Sequence, residues 1–572
     1  LEFWEGAKMV TTKEQIKTEL ALLKSNGEAP EWLTWMSYAM LKEAYLKPNE
    51  TPKERFTTIA KTAASYLPKD KEEWEKKFFN LIWNNYLALS TPIMGNLGTN
   101  RGLAVSCSAT YVGDSMWDIA YSDFEIAMLS KHGFGTAAYF DIRAGYSPIS
   151  GGGFTNSIVD WVEKYWRTQN KVSQSNLRRG STAIYLNFWH GELLKVLPML
   201  ETHDKLHLGV VCDDSVKAAL ENNEEEALIR YRTILTWRAR KGKPYIIFID
   251  NARRQDPAKY KELGLSTKQS NLCTEIFQHT DSDHTLACVL SSMVLNRFDE
   301  WKNTDAVFDA IVFLDCINED LLVRGSKIKG LERVVRSATK SRALGLGGLG
   351  FHTYLQQNMI PFDSYQATRV NMEIFSHIQS EAERASRFLA EWLGEPEWCK
   401  GTGMRNTHLT AIAPNTSSAM IAGAVSQGIE PLVANCYEQK LAKIGSVERV
   451  NPVLIKLLKE KNKYTPEIIN SIAFNKGSVQ HLDFLNELEK QVFKTAYEIN
   501  QKVLIDLAEQ RQKWISQGQS LNLFFSANED EQWIHEVHKY AFDKNLLKSL
   551  YYVRTMPGIS ADKGDSCLAC EG

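Results

Sequence analysis

The stretch SNLCTEI sets a carboxamide, a thiol and a carboxylate at two-residue intervals: Asn271, Cys273 and Glu275. On a strand, residues two apart project to one face, so the three side chains would share a pocket. It would contain a hydrogen-bond donor, a sulfur and a base. Two further cysteines stand in apolar runs, Cys107 in LAVSCSATYV and Cys288 in TLACVLSS. Free cysteine is among the most buried residue types, so either reads equally well as plain core. The neighbouring amide and carboxylate lift Cys273 above that reading. The chain ends KGDSCLACEG, which places Cys567 and Cys570 on a polar tail. A C-x-x-C pair is half a zinc site or a redox dithiol. The chain has no second such pair, so zinc would need ligands from another molecule and the redox reading is favoured. Tyr551 and Tyr552 are adjacent, a pattern that by itself is ordinary packing.

Other motifs are weaker. GLGGLG at Gly345 to Gly350 matches G-x-G-x-x-G, but SATKSRAL before it is a poor strand and no acidic partner closes the unit. Close backbone packing is the better reading. His535 and His538 lack the i, i+4 spacing of a zincin helix; His203 and His207 have it, without accompanying Glu or Cys ligands. No metal site is expected on these grounds.

The elements that must position the cysteines follow from hydrophobic period. From about Thr12 to Leu89 apolar residues recur at three- and four-residue steps, with Ile16, Leu20, Leu22 and Leu23 on one face. From Thr91, short β-branched runs such as STAIYLNFW, KPYIIFID, TLACVLSSMVLN and LTAIAP alternate with amphipathic segments such as DSMWDIAYSDFEIAMLSKHG. That alternation predicts βα units and a mostly parallel, closed sheet. After Pro452 the chain reads as charged and helical again up to about Lys548. The expected organisation is a helical region over 1–90, a barrel with helical insertions over 91–555 and a flexible redox tail over 556–572.

Composition excludes several classes. The 67 basic and 69 acidic residues are well mixed and leave no basic stripe for a phosphate backbone, which argues against nucleic acid as partner. No apolar run is long enough to span a membrane. Nine cysteines are too sparse for a disulfide scaffold, and no secretory leader is present, which together read as a reducing cytoplasm.

Taken in order, STPIMGN, SCSATYVGDS, VSQSNLRRGS with NFWH, QSNLCTEI, LACVLSS, RALGLGGLGFH, APNTSSAMIAG with GIEP, YYVRT and the terminal C-x-x-C resemble the large, catalytic subunit of class I ribonucleotide reductase. The resemblance runs from about Thr91 to the C-terminus. It implies a ten-stranded α/β barrel that reduces ribonucleoside diphosphates to deoxyribonucleotides by a thiyl-radical mechanism. Cys273 resembles the thiyl radical, Glu275 the base for the 3′ hydroxyl and Asn271 the group orienting the sugar. Cys107 and Cys288 resemble the reductant pair that ends as a disulfide, which requires Cα atoms about 5.5–6 Å apart. Tyr551 and Tyr552 resemble a stacked radical relay from a separate, metal-containing small subunit. This chain itself would then hold no covalent cofactor. The pair also speaks against the cobalamin-dependent class, and Gly572 lacks a glycyl-radical motif.

Thr91, Ser106 and Pro414, Asn415, Thr416, Ser417 and Ser418 resemble the diphosphate grip, where hydroxyls and N–H groups of a turn opening a helix attract an anion. The chain has PNTSS where relatives commonly have PTASS. Asp114, Arg143 and Arg178 resemble positions that bind a dNTP or ATP effector at a homodimer interface. Ser175, Asn176 and Arg179 stand where glycines are usual, which implies altered loop flexibility. Cys567 and Cys570 would carry electrons from thioredoxin or glutaredoxin into the barrel by thiol exchange. Only about ninety residues precede Thr91, without the basic opening of an ATP-cone. The resemblance therefore implies that dATP does not inhibit through a site on this subunit. Two alternatives compete with this reading: a silent, nucleotide-binding relative that regulates assembly, and a cobalamin-dependent reductase.

Overall fold

The structure, a computed structural model, describes residues 12–172, 180–203, 205–441 and 445–556. Helices dominate its N-terminal part, at Lys13–Ser25, Pro52–Ser65 and Lys71–Trp83. The first two begin with capping boxes, Thr12 with Gln15 and Thr51 with Glu54, which satisfy N–H groups that the helix leaves unpaired. Ile16 and Leu20 are buried as the period predicts, but Leu22 is 61% exposed and lies outside that face. The expected helical stretch also stops short of Leu89, because Leu87–Leu89 forms a buried strand, β1.

The later strands are β2 Cys107–Val112, β3 Thr136–Phe140, β4 Thr182–Asn187, β5 His207–Cys212, β6 Tyr245–Phe248, β7 Leu286–Val294 and β8 Leu344–Leu349. They are followed by β9 Cys436–Leu441, β10 Gly445–Val450, β11 Leu523–Phe525, β12 Ser549–Leu550 and β13 Val553–Thr555. Strands β2 to β6 run parallel in sequence order. Helices Met116–Lys131 and Ile158–Lys171 make the first two crossovers, as parallel pairing requires. Strand β7 pairs antiparallel with β2 and parallel with β8, and β12 pairs antiparallel with β6.

Two segments without regular strand geometry close the ring. Leu344 and Leu346 donate to the carbonyls of His408 and Leu409, Ile412 donates to Gly518, and Tyr551 donates to Leu521. The circuit β7, β2, β3, β4, β5, β6, β12, 517–523, 409–413, β8 thus has ten members, as expected. LTAIAP occupies a strand's place through isolated bridges at Thr410 and Ile412. Closure removes sheet edges that would otherwise expose unpaired backbone.

Side chains alternate across this wall. Ala137, Ala183, Tyr185, Tyr245, Ile247, Leu286, Cys288 and Leu290 join one interior cluster. Their neighbours Ala138, Ile184, Leu186, Ile246, Phe248, Ala287 and Val289 pack outward against the helices. Small inward residues leave room for the chain to enter the barrel. A Cβ on Gly345 would lie 2.9 Å from Cys288 Sγ, and one on Gly347 2.5 Å from the carbonyl of Ala411. The run GLGGLG is therefore strand β8 and its end, with glycine chosen for close approach. Among the helices, Ala306–Gly325 is buried nearly throughout. Its Asp315 pairs with Arg342 at 2.9 Å and with Arg405 at 3.0 Å. No helix among the described residues is long and apolar enough to cross a membrane.

Candidate active site

The segment bearing Asn271, Cys273 and Glu275 is a tight turn inside the barrel, which corrects the strand expected for it. Thr274 takes φ +68°, a left-handed conformation that no strand contains. Asn271 and Glu275 still face each other, by a different route. The Asn271 carbonyl oxygen Oδ1 accepts from the backbone N–H of Glu275 (3.0 Å) and Ile276 (3.1 Å), and its Nδ2 donates to Glu275 Oε1 at 2.9 Å. The amide thus wraps the turn and orients the carboxylate together.

Neighbouring segments hold the turn from outside. Tyr185 Oη donates to the Asn271 carbonyl at 2.6 Å, and Ser549 Oγ to that of Thr274 at 2.8 Å. Ser520 Oγ lies 2.5 Å from the Cys273 carbonyl and 3.1 Å from Glu275 Oε2. Gly518 N–H donates to the Glu275 carbonyl at 2.8 Å. Cys273 and Glu275 are 2% and 1% exposed, so every one of these contacts is made away from water, where losing it is costly. Tyr185, Gly518, Ser520 and Ser549 carried no sequence signal for this role. Each is an unremarkable polar residue or glycine whose place is set by strand pairing.

Cys107 and Cys288 are direct partners in the antiparallel register of β2 and β7. Such opposed residues have Cα atoms about 4.5–5.5 Å apart, within the span a disulfide bridges. Both side chains are buried and belong to the same interior cluster as Cys273. Burial pushes the Cys288 thiol well above its usual pKa, partly offset by Gln517 Nε2, which donates to its sulfur at 3.2 Å. Behind this strand pair, Glu125 accepts hydroxyl bonds from Thr110 (3.3 Å) on β2 and Thr285 (2.9 Å) just before β7. Its complete burial raises its pKa to about 7, with nearby Arg333 opposing the shift.

Tyr551 and Tyr552 are buried, with ring centroids 4.2 Å apart, and both pack on Tyr245 at 4.6 and 5.1 Å. His207 Nδ1 lies 2.7 Å from Tyr245 Oη and 3.2 Å from Tyr552 Oη. Neither Tyr245 nor His207 was singled out for this place from sequence. Arg238 donates to the carbonyl of Tyr551 at 2.9 Å and to Nε2 of His538 at 2.9 Å. His538 is thus a core histidine.

The expected phosphate-binding residues come from separated loops. Thr91 opens the short helix Thr91–Asn96 directly after β1, and Tyr45 Oη lies 3.1 Å from its hydroxyl. Helix Thr416–Ile421 packs against β1 and begins after Asn415, itself at φ +60°. Asn415 Oδ1 accepts from Ser292 Oγ at 3.0 Å, while Ser417 and Ser418 lie in the helix's first turn. Ser106 is buried immediately before β2. Asp114 and Arg143, in loops after β2 and β3, form an ion pair of 2.5 Å. Arg178, Ser175, Asn176, Arg179, Cys567 and Cys570 lie outside the described residues.

A barrel interior that brings a cysteine-bearing turn beside a cross-strand cysteine pair invites comparison with known proteins. The ribonucleotide reductase barrel domain matches residues 105–232, 230–401 and 391–553, and the all-alpha domain of the same enzyme matches 31–102. The chain belongs to the ribonucleotide reductase large-subunit family. A putative ribonucleoside-diphosphate reductase large subunit of Frog virus 3 is 35% identical over 546 residues, covering 89% of this chain and 95% of the relative. The large subunit of Invertebrate iridescent virus 3 is 32% identical over 625 residues, covering 93% and 97%. Among solved structures, the Actinobacillus ureae class Id ribonucleotide reductase alpha subunit superposes with a TM-score of 0.85 at 37% identity, covering 92% of this chain and 98% of that one. The chain is a ribonucleotide reductase catalytic subunit, an oxidoreductase of the family whose radical comes from a separate small subunit.

Proposed function

We propose that this subunit reduces ribonucleoside diphosphates at the turn Asn271–Glu275, with Cys273 as the radical-bearing residue and Cys107 and Cys288 as the electron donors. The cross-strand register of Cys107 and Cys288 beside that turn carries the proposal. In the proposed cycle the Cys273 thiyl takes the 3′ hydrogen, and Glu275 accepts the proton of the 3′ hydroxyl at hydrogen-bond range. The 2′ hydroxyl takes a proton from one thiol of the pair and leaves as water. Two electrons from the pair reduce the sugar, the pair becomes a disulfide, and the 3′ hydrogen returns from Cys273. The hydrogen bond from Asn271 to Glu275 keeps the carboxylate aimed at the sugar.

Thr91, Ser106 and Pro414 to Ser418 would grip the diphosphate. The close contact of Tyr551 and Tyr552, tilted at 58° rather than stacked as expected, supports a relay of the radical from the small subunit to Cys273. Exposed Met116, Trp117 and Phe154 near Asp114 and Arg143 support a homodimer whose interface holds a dNTP or ATP effector, since apolar patches of this kind mark interaction surfaces. Cys567 and Cys570 would then restore the reduced pair in exchange with thioredoxin or glutaredoxin, in a cytoplasmic setting. The test is CDP reduction by the purified chain with its cognate small subunit, a dithiol and effector. Cys273→Ser should yield no dCDP; product at the parental rate would refute the assignment.

A further inference from the structure

The turn that leads from Glu275 to Cys288 contains His279, Asp281 and His284, none of which the reductase reading uses. Their imidazole nitrogens and carboxylate oxygens all lie within 4.8 Å of one another. Asp281 Oδ2 is 2.9 Å from His279 Nε2, and its Oδ1 is 2.9 Å from His284 Nδ1. The backbone holds the three together, because Asp281 and His284 bridge each other across the turn and His279 bridges Thr267. Their rings are packed as well. Trp398 lies 5.6 Å from His279 and 5.2 Å from His284, and Tyr260 lies 6.4 Å from His279.

We propose that His279 Nε2, His284 Nδ1 and the Asp281 carboxylate form a binding site for a divalent transition-metal ion of the zinc type. Two imidazoles and one carboxylate are a common three-ligand zinc set, with water as fourth ligand, whereas magnesium and calcium prefer oxygen alone. Tetrahedral bonds of about 2.0–2.1 Å set ligand atoms about 3.3 Å apart, so the two 2.9 Å contacts, one to each carboxylate oxygen, would open by about 0.4 Å while the other separations, all within 4.8 Å, draw in around the ion. Entry is from the Asp281 side, which is 35% exposed, while the His279 and His284 side chains are 6% and 13% exposed.

The proton balance closes on groups already in place. Without an ion, Nε2–H of His279 and Nδ1–H of His284 donate to the carboxylate, and the Ser266 N–H donates to His279 Nδ1 at 3.1 Å. With an ion, both imidazoles switch tautomer. His279 then donates Nδ1–H to the Ser266 carbonyl, 3.0 Å away, the backbone support that metal-binding histidines commonly have. His284 lacks such support, since its Nε2 is buried with no partner among the described residues. That omission weakens the site about 10–100-fold relative to a fully supported one. The Asp283 N–H donates to Asp281 Oδ1 at 2.8 Å and fixes the carboxylate, while Arg336 pairs with Asp283 and leaves Asp281 to the histidines. A bound ion would tie His284, two residues before β7 and four before Cys288, to the end of the active-site turn.

The test is a Co2+ titration of the full chain read by visible absorption, followed by Zn2+ displacement. It uses the Cys567→Ser, Cys570→Ser background, so that the terminal dithiol supplies no ligand. One equivalent should bind, and Asp281→Asn or His284→Gln should each weaken it about tenfold or more with an unchanged near-ultraviolet circular dichroism spectrum. Absence of saturable Co2+ binding, or affinity unchanged in both variants, overturns the site. Should one variant fail to fold, the other decides the outcome.

Discussion

Glu125→Gln isolates the cost of a buried carboxyl behind the cysteine-bearing strands. Glu125 is fully buried, accepts only from Thr110 and Thr285 among the described residues, and has its pKa raised by desolvation from 4.5 to about 7. Because the folded value exceeds the unfolded one, the native state binds more protons between these values. Stability contributed by Glu125 is therefore full below about pH 4.5 and is lost as pH rises through about 7. A gap of 2.5 units, at about 1.4 kcal/mol per unit, makes the loss about 3 kcal/mol at pH 8. Glutamine keeps an oxygen for Thr110 and Thr285 but cannot ionise. Chemical denaturation and thermal melting at pH 4.5 and pH 8 should show the variant near parental stability at the lower pH. At the higher pH it should be more stable by about 3 kcal/mol. Equal stability differences at both pH values would refute the argument, because ionisation of this one group is what distinguishes parent from variant between the two conditions.

Ser520→Ala removes the hydroxyl shared by the Cys273 carbonyl and Glu275 Oε2. An unsatisfied buried acceptor costs about 1–3 kcal/mol, so steady-state CDP reduction should show kcat falling about 5- to 150-fold with little change in KM; kinetics within twofold of parental would argue against this support. Gly345→Ala places a methyl 2.5 Å from Leu290 Cδ2 and 2.9 Å from Cys288 Sγ. Overpacking of this kind should lower stability by about 1–3 kcal/mol in denaturant titration and reduce turnover; a parental midpoint would show that β8 gives way freely. Cys567→Ser with Cys570→Ser should stop multiple turnover with thioredoxin and spare a single turnover in rapid-quench assays. Continued multiple turnover would place the reductant's entry elsewhere.

The legible part of this molecule is whatever a local period or residue type records. Alternating βα runs marked the barrel, and inward positions such as Ala183 and Tyr185 follow the two-residue period of a strand. The same rule misread Asn271 to Glu275. There the side chains meet because a turn with Thr274 at positive φ folds the amide onto the carboxylate. LTAIAP shows the converse case, since its backbone bonds with β8 and 517–523 close the ring without regular strand geometry. The cluster of His279, Asp281 and His284 has no helical spacing and matched no simple ligand motif. A sharp turn joins it.

By itself the sequence determined the chemistry available: three of the seven internal thiols set apart by their surroundings, a carboxylate beside an amide, paired tyrosines and a terminal dithiol, arranged along strands and helices of predictable period. Only the tertiary structure decided that Cys107 faces Cys288, that Ser520 and Ser549 hold the central turn, and that Tyr245 and His207 join Tyr551 and Tyr552. The physical reason is that strand identity is written in neighbouring residues, whereas strand partnership is settled by burial and backbone hydrogen bonding summed over the closed barrel. No single residue carries that sum.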